Sequence, residues 1–279
     1  MAESFLKMLG RHAQADPGTG KFYGAYTAIV DNIEHDQPKA ETEEEKGYRL
    51  KVRYPWLNDK DVSYWARVAT MMAGKDRGAF FMPDVDEEVL VVFEGGDFRF
   101  PIIIGYLWNG KDKYPQKLII TPENEEIPIP IVDQPKAKTN NYRFWHSREK
   151  HIILFRDEPG KLQIVIRTNK SNEIVLDDTD GKEKIQIYDK DNDNYIQLDT
   201  VNKKITIESK TGEIYIKAKT TITLECKDLL TISKATTKMK AGSTYKTHSG
   251  AAMEHKSDAT MDLKAGGTLT EKAPLIKLN

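Results

Sequence analysis

The chain has 279 residues, enough for one large or two modest domains, and its 39% hydrophobic content is low for a purely globular protein. Its 42 Lys and Arg residues balance 43 Asp and Glu residues, which excludes a strong overall attraction to nucleic acid or to anionic membranes. The single cysteine, Cys226, excludes an intrachain disulfide. Neither a signal peptide nor a run of about 18 apolar residues is found, so we expect assembly in the cytoplasm.

Residues 1–22 are predicted to be an N-terminal arm. Phe5 and Leu9 lie on one side of a short amphipathic helix, which serves either as a simple arm or as a docking helix for a partner. The Pro- and Gly-containing run at residues 16–20 separates this arm from the next predicted domain.

Residues 23–110 predict a small all-β domain. Alternating or continuous apolar runs indicate five strands, and Gly95-Gly96-Asp97 predicts the turn between the last two. The five predicted strands cover residues 26–30, 48–54, 64–69, 88–94 and 101–106. Five strands within about 90 residues, without a long helix, favour a barrel of the OB type.

Residues 111–150 are predicted to be an extended connector, because five prolines there disfavour helices and central strands. The prolines are Pro115, Pro122, Pro128, Pro130 and Pro135.

Residues 151–279 carry a strand repeat. Apolar pairs recur at steps that shorten from 10 and 11 residues to 8, and a strict eight-residue repeat follows through Tyr245, Met253, Met261 and Leu269. A period of two within a longer fixed period is typical of strands stacked along an axis. The first apolar pairs are Ile164/Ile166, Ile174/Leu176, Ile185/Ile187, Ile196/Leu198 and Ile205/Ile207.

One such strand has a single thin apolar edge and cannot bury it alone. Three copies wound around an axis would bury the inner residues and pair every strand edge with another chain. We therefore predict an all-β protein, with an N-terminal OB-fold barrel followed by a C-terminal intertwined trimeric (triple-stranded) β-helix needle. The predicted needle core contains Ile214, Ile216, Ile222, Leu224, Cys226, Leu230, Ile232, Met253, Met261 and Leu263.

Several segments of the predicted barrel carry a family resemblance: Lys51-Val52-Arg53-Tyr54-Pro55-Trp56-Leu57, Ser63-Tyr64-Trp65-Ala66-Arg67-Val68-Ala69, Arg77-Gly78-Ala79-Phe80-Phe81-Met82-Pro83-Asp84, Asp86-Glu87-Glu88-Val89-Leu90-Val91-Val92-Phe93 and Ile104-Gly105-Tyr106-Leu107-Trp108-Asn109-Gly110. Together they resemble the OB domain of the VgrG proteins and phage-baseplate spike proteins. The repeat after residue 150 is similar to the triple-stranded β-helix of the same family.

The resemblance implies a non-enzymatic, membrane-puncturing central spike of a contractile injection system, either phage tail-like or type VI-like. It also implies a homotrimer that contacts inner tube and baseplate proteins and, transiently, the target cell envelope. The family's hub region and lysozyme domain have no counterpart here, so we expect docking on a separate baseplate hub and no muramidase activity. The spike would be delivered outside the cell or into the target on firing.

The resemblance and the repeat together nominate three sets of contact residues. Hub docking or collar formation is expected at Phe5, Leu9, Trp56, Trp65 and Trp108. A PAAR-type tip protein is expected at Pro274, Leu275, Ile276 and Leu278. His255 falls in an inner register, where threefold symmetry could form a metal-binding ring on the axis or merely a hydrated polar layer. No other cofactor is expected.

Two alternative functions remain open. Arg53, Arg67 and Arg77 lie beside aromatic residues, a pattern that could bind single-stranded nucleic acid, although nearby acidic residues balance them. A β-helix that binds or depolymerises glycans is the enzyme alternative, but the strands and loops are shorter than such coils need. No nucleophile motif or phosphate-binding loop is present in the sequence.

Overall fold

The computed structural model describes residues 20–33, 49–115, 117–120, 125–128, 140–191 and 193–276. Within these ranges the chain forms strands and one short 3₁₀ turn, with no α-helix, which confirms the all-β prediction. The chain divides into two compact units, Met1–Tyr215 and Ile216–Asn279. The predicted contact residues Phe5, Leu9 and Leu278 lie outside the described ranges.

Five strands of the first unit close a barrel, consistent with the predicted OB fold. The barrel order is β1-β7-β8-β4-β2, with β2 pairing back to β1 and β3 extending the sheet beside β2. β4 and β8 run parallel, and the other barrel pairs are antiparallel. The strands of this region are β1 (Ala25–Asn32), β2 (Arg49–Tyr54), β3 (Asn58–Val62), β4 (Ala66–Val68), β5 (Ala73–Gly74), β6 (Arg77–Gly78), β7 (Glu88–Phe93) and β8 (Pro101–Tyr106).

The barrel core follows from the alternation of β2 and β7, in which every second side chain is buried. Six aromatic rings pack against one another in and beside this core, with centroids of neighbouring rings 5.0 to 6.0 Å apart. The rings belong to Phe22, Tyr26, Tyr54, Trp56, Phe93 and Phe98. This packing buries apolar area that a barrel of this size needs for stability.

The rest of the first unit is a two-stranded hairpin and a seven-stranded antiparallel meander. The hairpin consists of β9 (Lys117–Ile120) and β10 (Glu125–Pro128). The meander strands follow in chain order as β11 (Tyr142–His146), β12 (Ile152–Glu158), β13 (Lys161–Arg167), β14 (Glu173–Asp177), β15 (Lys184–Tyr188), β16 (Asn194–Asp199) and β17 (Lys204–Ser209). The segment predicted to be an extended connector thus contains β9, β10 and β11, while the exact domain boundaries stay a prediction.

The meander differs from the expectation that every strand edge of the repeat pairs with another chain. From β11 to β17 each strand pairs with its neighbour in the same chain. The physical reason lies in the connections between these strands. They have two to six residues, which is long enough for the chain to turn back and pair with its own preceding strand.

The second unit shows the eight-residue repeat directly in its backbone. Extended segments alternate with bends at residues 219–220, 227, 234–235, 242–243, 250–251, 258–259, 266–267 and 274. The described residues of this unit form no strand pairs with one another. The repeat seen in the sequence is therefore a repeat of bends, with one extended segment per eight residues.

Candidate assembly interface

One face of the meander is apolar from β12 to β17, and its side chains are exposed among the described residues. Two rows of side chains cross the strands from β12 to β17, each residue directly opposite the next across the strand pairs. The first row is Ile153, Ile166, Ile174, Ile187, Ile196 and Ile207, and the second is Phe155, Ile164, Leu176, Ile185, Leu198 and Ile205. We call these twelve residues the apolar face.

The apolar face is exposed in the single chain. Ten of its side chains retain 38–47% of their accessible surface, and the two on β17 retain 58% and 70%. Burying such a side chain completely is worth about 1.5–3 kcal/mol, so completing the burial of twelve half-exposed ones would contribute on the order of 10 kcal/mol per chain. A surface of this kind marks an interaction site.

The opposite face of the meander is chemically different, and we call it the covered face. Near its start, Leu154, Val165 and Val175 pack under Leu118 and Ile127 of the β9–β10 hairpin. Farther along the same row the residues become Gln186, Gln197 and Thr206. Only the apolar face is therefore suited to continuous packing against another protein surface.

A buried ion pair lies on the covered face. Arg167 Nη1 is 2.9 Å from Glu173 Oε1, and their side chains are 7% and 0% exposed. The Tyr188 hydroxyl donates a hydrogen bond to the other oxygen of Glu173, and Arg167 Nη2 donates to Ser171 Oγ at 2.6 Å. Charged groups buried this deeply are tolerated only when they are paired, so the network fixes the register of β13, β14 and β15.

A second buried guanidinium lies at the other edge of the covered face. Arg156 Nε donates to Glu158 Oε2 at 2.9 Å, and Arg156 Nη1 donates to Gln163 Oε1 at 3.2 Å. Burial alone would raise the pKa of Glu158, but the hydrogen bonds and charge of Arg156 outweigh it and lower the pKa. Glu158 is therefore ionised at neutral pH and holds Arg156 in place.

Serine side chains stabilise the bends of the second unit. Ser233, Ser249 and Ser257 each lie just before a bend and donate a hydrogen bond to the carbonyl three residues on, at 3.1, 2.6 and 2.9 Å. Hydroxyl groups commonly make such local backbone contacts at turns. In the sequence repeat, Ser249 and Ser257 occupy a register of small inner residues. Their role at the bends was not predicted. Their regular position in the eight-residue repeat could have indicated it.

The predicted needle-core residues are all exposed in the single chain. Cys226 is exposed, and the other nine retain 51–80% of their surface. Most of them lie in the segments between the bends, where another chain could pack against them. Their burial in an assembly stays a prediction.

The three predicted collar tryptophans lie in different surroundings. Trp56 packs against the aromatic rings of the barrel core, and its Nε1 donates to the Thr27 carbonyl at 2.9 Å. Trp65 has the Lys51 ammonium 5.1 Å from its ring centroid. Trp108 is 69% exposed. Of the three, Trp108 has the most surface left for a partner.

A further apolar surface of the barrel was not predicted. It is formed by Met71, Met72, Phe80 and Phe81, which retain 53–81% of their surface. The two segments that carry these residues are joined by a hydrogen bond, 2.9 Å long, from the Ala79 amide to the Met72 carbonyl. Their pairing across a short hairpin is not visible from sequence periodicity alone.

Two of the three arginines considered for nucleic-acid binding are paired with carboxylates. Arg53 lies 2.9 Å from Asp31 and 3.1 Å from Asp86, and Arg67 lies 2.5 Å from Glu94. Tyr54, the aromatic neighbour of Arg53, is only 1% exposed and cannot stack on a base.

His255 is exposed in the single chain. In the part of the chain that the structure describes, no three His, Cys, Asp or Glu side chains are grouped to hold a metal ion. A ring of His255 would need three copies of the chain.

Comparison with known proteins connects this architecture to a family. Residues 27–108 match the type VI secretion system/phage-baseplate injector OB domain, a span that begins in β1 and ends just after β8. Over 133 residues the chain is 28% identical to the type VI secretion system spike protein VgrG1b of Pseudomonas aeruginosa. Residues 27–108 are therefore similar to the injector OB domain of this group, and the chain resembles VgrG spike proteins over about half of its length.

The VgrG relatives are much longer than the match. The alignment with VgrG1b covers 46% of this chain and 17% of that protein. The spike protein VgrG3 of Vibrio cholerae serotype O1 is 30% identical over 135 residues, covering 46% of this chain and 12% of that protein. The actin cross-linking toxin VgrG1 of the same species is 26% identical over 170 residues, covering 59% and 13%. The chain therefore spans less than a fifth of the length of these relatives.

Two of these relatives are named as type VI secretion system spike proteins, and the third as an actin cross-linking toxin. In this chain, none of the described segments contains a helix with the length and apolarity required to cross a membrane.

Proposed function

We propose that this chain is the trimeric central spike of a contractile injection system, with a mechanical, non-catalytic role. The observation that carries the proposal is the apolar face, whose two unbroken rows need a partner with the same repeat. A second and third copy of the chain supply that repeat by definition. The similarity of residues 27–108 to the injector OB domain, and of about half of the chain to VgrG spike proteins, supports the same conclusion.

The width of the apolar face favours three copies. Each strand contributes two side chains to it, about 7 Å apart along the strand. Three such narrow faces close a triangular column in which every row meets the other chains at the axis. Two copies would form a thin sandwich with both long sides open to water.

The accessible surface supports the need for partners. The single chain exposes 23578 Å², about twice the ~12,000 Å² that a globular monomer of 31.8 kDa exposes. Part of it belongs to the exposed apolar side chains of the apolar face and of the eight-residue repeat.

The second unit fits a three-chain winding. If each bend moves the chain to the next side of a triangular needle, a chain returns to the same side after three extended segments. Two strand positions, each about 4.8 Å deep, are then left open between successive segments of one chain. Two other chains fill them and supply the backbone hydrogen bonds that the single chain does not make.

The proposed mechanism is the transmission of force. Sheath contraction would drive the needle through a target envelope, and the barrels would form a collar that carries the load. We propose Trp65, Trp108 and the exposed Met71 and Phe80 as collar surfaces, with the N-terminal arm docking on a separate hub and contacting the surrounding tube and baseplate. Assembly would take place in the cytoplasm, before the particle delivers the spike outside the cell or into the target.

The last residues of the needle are proposed to seat a small PAAR-type tip protein. Leu275 and Ile276 retain 69% and 47% of their surface after the final bend at Pro274. A ring of three His255 side chains that binds a metal ion remains a secondary proposal.

Hydrogen exchange of the full-length protein tests the proposal. In a three-chain needle the amides of the segments between residues 213 and 273 form interchain hydrogen bonds and should exchange many orders of magnitude more slowly than in an unpaired chain. Exchange of these amides at the rate of an unstructured peptide, in protein whose barrel amides are protected, would contradict the proposed needle.

A further inference from the structure

The last meander strand, β17, has one open edge. Among the described residues, β16 is its only strand partner, and Ile205 and Ile207 are 70% and 58% exposed, more than any other residues of the apolar face. An open edge beside an apolar surface readily accepts a further strand, which makes it a site of aggregation unless it is covered. We therefore expect this edge to have an occupant in the assembled protein.

The chain does not turn back to fill the edge itself. The Lys210 amide donates to the Asp193 carbonyl at 2.8 Å, and the Thr211 hydroxyl donates to Asp193 Oδ2 at 3.3 Å. Asp193 precedes β16, so these contacts extend the β16–β17 pairing beyond the last residue of β17. The Gly212 amide then donates to Ser209 Oγ at 3.2 Å, which shapes the bend after β17.

This exit contrasts with every earlier connection of the meander. The six connections between β11 and β17 turn back within two to six residues and place the next strand alongside the last. Lys210, Thr211 and Gly212 would be long enough for such a hairpin. The extended segment that begins at Glu213 nevertheless adds no strand to the sheet.

We propose that the open edge of β17 pairs with the segment that begins at Glu213 in a neighbouring copy of this chain. The proposal rests on the trimer proposed above and specifies where pairing within one chain gives way to pairing between chains. Ile214 and Ile216 repeat the apolar pair of β17, so a neighbour's segment would extend both rows of the apolar face by one strand. Each chain would then be clamped to the next, and the three chains would interlock.

The proposal identifies a residue pair that does not depend on strand direction. If Ile214 and Ile216 continue the two rows, they face Ile205 and Ile207 in either a parallel or an antiparallel arrangement. The residues between them, Thr206 and Tyr215, are then directly opposite. Directly opposed Cβ atoms are about 4.5–5.5 Å apart, close enough for a disulfide after small adjustments.

Both positions tolerate a cysteine. Thr206 lies on the covered face beyond the β9–β10 hairpin, and Tyr215 is 81% exposed. Neither side chain belongs to the apolar face. A disulfide between them therefore reports strand pairing without removing the contacts proposed to hold the trimer.

The test uses the full chain with Thr206→Cys, Tyr215→Cys and Cys226→Ala. Mass is first measured under reducing conditions by light scattering, because a monomer at that stage would refute the trimer itself. The trimer is then oxidised with diamide and run on a non-reducing SDS gel. We expect most of the chain in a covalent trimer, and no covalent trimer from either single cysteine variant in the same background.

Two results would overturn the inference while leaving the trimer intact. A fast-migrating monomer with an internal disulfide would mean that the chain pairs with its own β17. A native trimer that remains uncross-linked would mean that the edge has another occupant.

Hydrogen exchange of the unsubstituted protein provides a second test, which does not depend on whether a variant folds. Pairing on both edges should slow exchange at every amide of β17, whereas an open edge protects only alternate amides. Alternate protection in protein of trimer mass would overturn the inference.

Discussion

The substitution Ile187→Asp tests the role of the apolar face most sharply. Ile187 lies in the middle of the first row, on β15, and retains 47% of its surface in the single chain. Completing its burial is worth about 1 kcal/mol, and an ionised carboxylate in the same place costs several kcal/mol. With three copies at the axis, we expect a loss on the order of 10–15 kcal/mol per trimer, or about seven powers of ten or more in the assembly constant.

The matched control is Gln186→Asp, one residue away on the opposite face of the same strand. It removes the hydrogen bond from Gln186 Nε2 to Gln197 Oε1, which is 2.9 Å long, and should cost about 0.5–1.5 kcal/mol per chain. Light scattering at micromolar protein should find the control trimeric and Ile187→Asp monomeric, with the barrel still folded by circular dichroism. If both variants keep the trimer mass and the same resistance to denaturant, the apolar face is not the interface.

Three further substitutions test local features. Gly78→Ala should destabilise the barrel by about 1–3 kcal/mol in thermal unfolding, because the new Cβ would lie 2.7 Å from a backbone carbonyl oxygen, whereas Gly110→Ala has open space and should cost under 1 kcal/mol. Glu173→Gln should cost about 3–5 kcal/mol in urea unfolding because it leaves the Arg167 guanidinium buried without its counter-charge, and an unchanged midpoint would show that the pair is not buried in solution. Ser257→Ala should lower the unfolding free energy of the needle by about 0.5–1.5 kcal/mol per chain through loss of its hydrogen bond at the bend, and an equal effect at a serine without such a bond would refute that role.

The sequence predicts the barrel and the apolar face well because both depend on local periodicity. The five barrel strands are found close to their predicted positions, since strict alternation in segments such as Arg49–Tyr54 leaves one face to bury. The Ile pairs at steps of 9 to 11 residues are adjacent across strands, as a period of two requires.

Other features could not be read from periodicity. Whether strands pair within a chain or between chains depends on the connections, and the same apolar pairs suit both arrangements. The β9–β10 hairpin lies in a Pro-rich segment, where Pro128 is tolerated because β10 is an edge strand. The pairing of Arg167 with Glu173 depends on the strand register, which the spacing of two charged residues along the chain does not reveal.

The most direct test of the central claim is the mass of the full chain in solution, measured by light scattering beside an SDS gel of unboiled sample. Three chains closed around the apolar face predict a mass near three times 31.8 kDa and a band that resists SDS. A single species of 31.8 kDa at micromolar concentration would contradict the account, because one chain cannot cover its own apolar face.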